Sequence, residues 1–177
     1  MIKIHVLVSV WCDFDHGLCS GWNQSSADDF NWTLAYGSTP SSSTGPAHGQ
    51  GGSGKYMFIE ASSPRKPGEI AKLVVTVPNN GNQSCLSFYY HMYGASAGTL
   101  NVYSGNTKVL STSGNKGDNW LIMEANIYLD GVVSKILPLT DTLKAISSGP
   151  ILSGFINSSR QLLVSEVNSR NCCNLGL

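Results

Sequence analysis

Between residues 85 and 93 the chain alternates. Leu86, Phe88, Tyr90 and Met92 interleave with Ser87, Tyr89, His91 and Tyr93. A period of two puts the first four on one face of an extended segment and the second four on the other, as a half-buried β-strand requires. The pattern returns at 70–77 (Ala71, Leu73, Val75, Val77), at Leu100 and Val102, and at Met123, Ala125, Ile127 and Leu129. Residues 55–61 read as a further strand, followed by a turn, Ser63-Pro64-Arg65-Lys66-Pro67-Gly68. Gly and Asn turns separate these runs and no helical pattern intervenes. An all-β chain of this kind is expected to form an antiparallel sandwich.

A length of 177 residues fits one domain with a remainder. Charged residues are scarce at 12%, the net charge is zero and no basic cluster stands out, which argues against nucleic acid or an acidic membrane surface as partner. No run is long enough to span a bilayer, so membrane association is expected only through a parent chain. Residues 1–11, with one Lys and an apolar run from Ile4 to Val10, read as a leader or a partial domain start.

Cysteines stand at 12, 19, 85, 172 and 173, with no Cys-x-x-Cys pair, and His5, His16, His48 and His91 are scattered. That spacing does not build a zinc site, so disulfides and an oxidising compartment are the better reading. Four Asn-x-Ser/Thr sequons, at Asn23, Asn31, Asn82 and Asn157, point to the same compartment. Asn82 sits in an Asn-Asn-Gly-Asn turn, whereas Asn31 has the bulky Trp32 before its Thr.

Two motifs imitate catalytic ones. Gly-Gln-Gly-Gly-Ser-Gly-Lys at 49–55 resembles a phosphate-binding loop, but a strand follows where that chemistry needs a helix N-terminus. It is read as a flexible loop. Gly94-Ala95-Ser96-Ala97-Gly98 has the form of a nucleophile elbow, yet it leads from strand to strand and no histidine follows it. It is read as a hairpin loop, and no catalytic residue is expected.

Seven short motifs carry a family resemblance: Cys-Asp-Phe-Asp (12–15), Leu-Cys-Ser-Gly-Trp (18–22), Asp-Asp-Phe-Asn-Trp (28–32), Thr-Pro-Ser-Ser-Ser-Thr-Gly-Pro (39–46), Tyr-Met-Phe-Ile-Glu-Ala-Ser (56–62), Phe-Tyr-Tyr-His-Met-Tyr-Gly (88–94) after Cys85, and Gly-Thr-Leu-Asn-Val-Tyr (98–103). In this order they resemble the MAM domain, a module of extracellular adhesion and receptor proteins. The likeness covers residues 12–136 and implies a jelly-roll-like β-sandwich. It implies a Cys12–Cys19 disulfide, and a second from Cys85 to Cys172 or Cys173 that would stabilise by about 4–5 kcal/mol in the chain-entropy model. Segment 137–177 departs from the family pattern: its final strand is not found, residues 160–167 could form a short helix, and the segment is left as a divergent tail that would complete the domain or not.

The resemblance also implies a structural calcium held by three acidic positions. Only Asp15 matches one of them, and a single carboxylate cannot supply the six to eight oxygens calcium takes. Asp13, Asp15, Asp28 and Asp29 are therefore read as solvated loop carboxylates, and no cofactor is expected. Trp22, Trp32 and Phe88 are assigned to the core. Tyr89, His91 and Tyr93 face either a partner or a second layer. The implied role is a non-catalytic extracellular or cell-surface recognition module in a membrane-bound or secreted multidomain protein, acting in adhesion or receptor association with a protein partner, homophilic or not. The alternatives are a lectin-like carbohydrate-binding sandwich and a truncated, non-functional fragment with unpaired, aggregation-prone edges.

Overall fold

The computed structural model describes residues 10–61, 63–76, 83–128, 134–138 and 151–157. Its strands, in chain order, are β1 (Val10–Cys12), β2 (Trp22–Gln24), β3 (Thr33–Tyr36), β4 (Lys55–Phe58), β5 (Leu73–Val75), β6 (Gln83–His91), β7 (Thr99–Ser104), β8 (Thr107–Ser113), β9 (Leu121–Tyr128), β10 (Ser134–Pro138) and β11 (Ile151–Asn157). They form two sheets. One runs β3-β4-β11-β6-β9, with β1 also paired to β11; the other runs β2-β5-β10-β7-β8. Each of these pairings is antiparallel. Among the described residues no helix is long and apolar enough to cross a membrane.

The alternation read from the sequence is what joins the sheets. Leu86, Phe88 and Tyr90 of β6 lie opposite Ala125, Met123 and Leu121 of β9. They are buried with Leu73 and Val75 of β5 and with Leu100 and Val102 of β7, in one core cluster. Trp22 and Trp32 are buried in the same cluster, as expected for large aromatics in a sandwich. Each fully buried Leu, Val or Phe side chain contributes about 1.5–3 kcal/mol relative to exposure.

Three expectations are corrected. First, the tail holds a strand after all. Strand β11 hydrogen-bonds β6 along its whole length, from Ile151 opposite His91 to Asn157 opposite Cys85. Its other edge pairs with β4 at Ile151–Leu152 and with β1 at Gly154–Ile156. Adjacent apolar residues, Ile151-Leu152 and Phe155-Ile156, fall on opposite faces of any strand, so a test for alternation cannot find it.

Second, the segment from Met92 to Gly98 is not a hairpin, because β6 and β7 belong to different sheets. It crosses the edge of the sandwich with Met92 and Ala97 buried in the core. The tight hairpin is β7–β8, where Ser104 pairs with Thr107 across Gly105-Asn106. Gly105 takes a φ of +57°, which a two-residue hairpin turn favours.

Third, Asp28 and Asp29 are not simply solvated. The Asp28 carboxylate accepts the Lys72 amide, and that of Asp29 accepts the Ile70 amide at 2.7 Å. Ser25 N donates to Lys72 O at 3.0 Å, and Asp29 N to Ile70 O at 2.8 Å. Segment 25–29 thus runs beside residues 70–72, and β5 begins only at Leu73. Val77, expected on the same face, lies outside the described residues.

A chain cut after Pro138 loses β11, and with it the link between β4 and β6. It should show no cooperative thermal transition and should aggregate, whereas the full chain melts in one step. Circular dichroism melting of both would check this, and a cooperative melt of the short chain would show that β11 is dispensable.

Candidate functional site

Along β4, Met57 points into the core, so its neighbours Tyr56 and Phe58 stand on the outer face of the first sheet. Both are nevertheless buried. On β6 the outer-face residue His91 is only 1% exposed. A second apolar layer covers this part of the sheet. Trp120, just before β9, meets Tyr56 edge-on at 5.8 Å and His91 at 5.5 Å between ring centroids. His91 in turn meets Tyr93 at 6.4 Å. His91 and Tyr93 therefore belong largely to this layer, while Tyr89 remains half-buried on the same face beside the more exposed Ile122.

The rings also hold a loop in place. The Tyr56 hydroxyl donates to Gly37 O, and Trp120 Nε1 donates to His48 O at 3.1 Å. Between these anchors Gly45 N donates to Tyr93 O at 3.4 Å. Thr39 Oγ1 donates to Thr44 O at 3.0 Å and Thr44 Oγ1 to Ser41 O at 3.4 Å, while Ser41 Oγ donates to Glu60 Oε2 at 3.1 Å. Gly45, at φ +63°, leaves no room for a side chain: a Cβ there would lie 2.6 Å from Thr39 Oγ1. Residues 38–47, with Tyr93 and Asp118, enclose an open groove of about 470 Å³.

Asp118 is positioned from below. Its Oδ1 lies 3.1 Å from His91 Nε2, and its side chain is 61% exposed. Burial lowers the His91 pKa below its ordinary 6.5, and the hydrogen bond and charge of Asp118 push only partly back. His91 is thus neutral at pH 7, donating from Nε2 to the carboxylate. Its Nδ1 is buried without a hydrogen-bond partner among the described residues.

Other candidates serve the scaffold. Cys12 and Cys19 form a disulfide, with Cα atoms 5.5 Å apart, and buried Phe14 between them packs edge-on against Trp22. Asp15 Oδ1 accepts the Lys55 amide at 2.7 Å, and Asp13 Oδ1 accepts the Asp15 amide at 3.0 Å. The glycine-rich loop is therefore not simply flexible. It makes a 3-10 turn over Gln50–Gly52, and a Cβ on Gly49 would lie 2.2 Å from Ser53 O. Among the described residues no three of His, Cys, Asp and Glu gather as a metal group would.

Asn23 and Asn31 are exposed, at β2 and just before β3. Cys85 lies on β6 opposite Asn126 and Asn157, and Asn157 ends β11. Asn82, Cys172 and Cys173 lie outside the described residues. Sequence reasoning missed Asp118 and Trp120. Their turn, Gly117-Asp118-Asn119-Trp120, carries no periodicity, and its one signal is a large aromatic placed immediately before a strand.

Residues 12–135 match the family model described as MAM domain, meprin/A5/mu. The chain is 39% identical over 139 residues to the mouse MAM domain-containing glycosylphosphatidylinositol anchor protein 2, a match covering 66% of this chain and 15% of that protein. It is 41% identical over 123 residues to the human anchor protein 1 of the same name, covering 62% and 13%. The chain thus spans about a seventh of these relatives. Among solved structures, the K1 cleaved adhesin domain of Lys-gingipain from Porphyromonas gingivalis W83 superposes with a TM-score of 0.61 at 14% identity, over 88% of this chain and all of that one. At that identity the likeness bears on the fold alone.

The lowered pKa of His91 fixes the sign of an acid effect. Below the ordinary histidine value of about 6.5 the unfolded chain takes up a proton that folded His91 resists, so stability falls as pH drops toward 5. Asp118→Asn removes the charge that supports protonated His91 and should enlarge the loss in Tm between pH 7 and pH 5. Equal losses in the two proteins would mean that His91 does not report on Asp118.

Proposed function

The chain belongs to the MAM family, and on that premise we propose that it is a non-catalytic recognition module that binds an extracellular protein in adhesion or receptor association. Its place is outside the cell or at the cell surface, where the relatives named for a glycosylphosphatidylinositol anchor belong. The Cys12–Cys19 disulfide suits that compartment.

The observation that carries the reading is the pinned loop of residues 37–48. A rigid scaffold displaying an ordered, solvent-facing loop is the usual arrangement for a binding surface. This loop forms a groove on the outer face of the sandwich. The two enzyme-like motifs do different work. One packs against Asp15 and the other bridges the sheets. No resident cofactor enters this reading. Strand β11, paired on both edges, weighs against a fragment unable to close its sandwich.

The full chain, secreted from mammalian cells and coated on fluorescent beads, should bind to cell surfaces or to identical beads. Bead clustering would indicate homophilic contact, and binding abolished by trypsin treatment of the cells a separate protein partner. Dispersed beads that bind no cell type would sink the recognition reading.

The same secreted protein should carry N-linked glycans at Asn23 and Asn31, both exposed. Peptide mass spectrometry before and after enzymatic deglycosylation would show the mass change. Unmodified asparagine at both sites would remove these sequons from the argument for an extracellular location.

A further inference from the structure

We propose that the groove formed by residues 38–47, Tyr93 and Asp118 seats a cationic side chain, Lys or Arg, of the protein partner, with the Asp118 carboxylate as its counter-ion. This rests on the recognition reading for the nature of the partner and on the groove for the chemistry.

The groove is one-sided in charge. Its lining holds one carboxylate and no Lys, Arg or His. Three of its seven hydroxyl groups, on Thr39, Thr44 and Ser41, already donate their hydrogens to the loop itself or to Glu60. Pro40 and Pro46 have no amide hydrogen to offer, and the Gly45 amide is bound to Tyr93 O. The site is therefore rich in acceptors, and the one formal charge in its lining is negative. An anion would meet a carboxylate. An ammonium or guanidinium group only donates and finds a matching surface.

Asp118 is suited to the role. Its hydrogen bond to buried His91 orients the carboxylate, and the largely exposed side chain keeps an oxygen free to meet a ligand. A carboxylate pairs with Arg through two parallel hydrogen bonds when it is held but open. Tyr93 also lines the groove. Because the loop is fixed in advance by Tyr56, Trp120 and the Tyr93 carbonyl, binding does not have to order it. The volume of about 470 Å³ admits a long side chain with its flanking backbone.

The probes are acetyl-arginine amide and acetyl-lysine amide, titrated into the 15N-labelled full chain, with cellotetraose as the neutral saccharide. The cationic probes should shift the amides of residues 38–47 and Tyr93, with a Kd of about 1 mM or weaker, as befits one side chain. Binding should weaken several-fold from about 50 to about 300 mM salt. Asp118→Asn, shown to be folded by the rest of its spectrum, should lose at least about tenfold, the loss of about 1.4 kcal/mol. Cellotetraose moving these amides where the cations do not, or no probe moving them, overturns the proposal.

Beads coated with Asp118→Asn separate the two ideas. If wild-type beads bind cells and the variant binds equally well, the groove proposal fails while the recognition reading stands. If wild-type beads bind nothing yet the cations titrate, the partner is lost and the cation site remains.

Discussion

Strand β11 holds the first sheet together. On one edge lie β4 and β1, on the other β6, and the described pairings give β3–β4 no other hydrogen-bonded route to β6–β9. The second sheet repeats the device: β10 lies between β5 and β7 and joins β2–β5 to β7–β8. Both bridging strands come late in the chain. The hairpin β7–β8 can form locally, but each sheet closes only when a distant strand is inserted. Such long-range pairing makes folding slow and leaves intermediates with open edges. Sheet closure therefore constrains the core, the outer layer and the loop that rests on it.

The outer layer follows from the position of that closure. Next to β11, both β4 and β6 present rings on the outer face, Tyr56 and Phe58 on one and His91 on the other. A sheet that is apolar on two faces needs two coverings. The other sheet covers the inner face, and Trp120 with residues 37–48 covers the outer one. The groove thus arises from the same burial that stabilises the sandwich. Burial also sets the electrostatics: it keeps His91 neutral, and a neutral donor leaves the negative charge of Asp118 uncancelled at the groove.

The inner face was legible in the sequence because each of its strands obeys one rule. Leu86, Phe88 and Tyr90, with Leu100 and Val102, alternate with residues turned away from the core, and the family motifs fall on the same segments. The Cys12–Cys19 bridge was legible through the resemblance. Strand β11 was not, because adjacent apolar residues erase the alternation. The groove was not, because its parts come from three places, residues 38–47, Tyr93 and Asp118, and only tertiary contact unites them. Asp28 and Asp29 were misjudged for a related reason. Their partners are main-chain amides more than forty positions away, and backbone groups leave no mark in a sequence.

The family match ends at residue 135, within β10 and before β11. Similarity of sequence fades there, but hydrogen bonding does not. A boundary drawn at the end of the match would divide β10 and leave β6 with an unpaired edge, the kind of edge that natural sheets cover or blunt. The cooperative unit has to be defined by its closed ladders, and those include Ile151–Asn157. Backbone pairing of the kind β11 makes is one that many sequences can supply. The Asp-Phe-Asp and Gly-Trp motifs of the opening segment, by contrast, set a specific bridge, a ring contact and a carboxylate-to-amide bond. Both the matched segment and Ile151–Asn157 are required to close the sandwich.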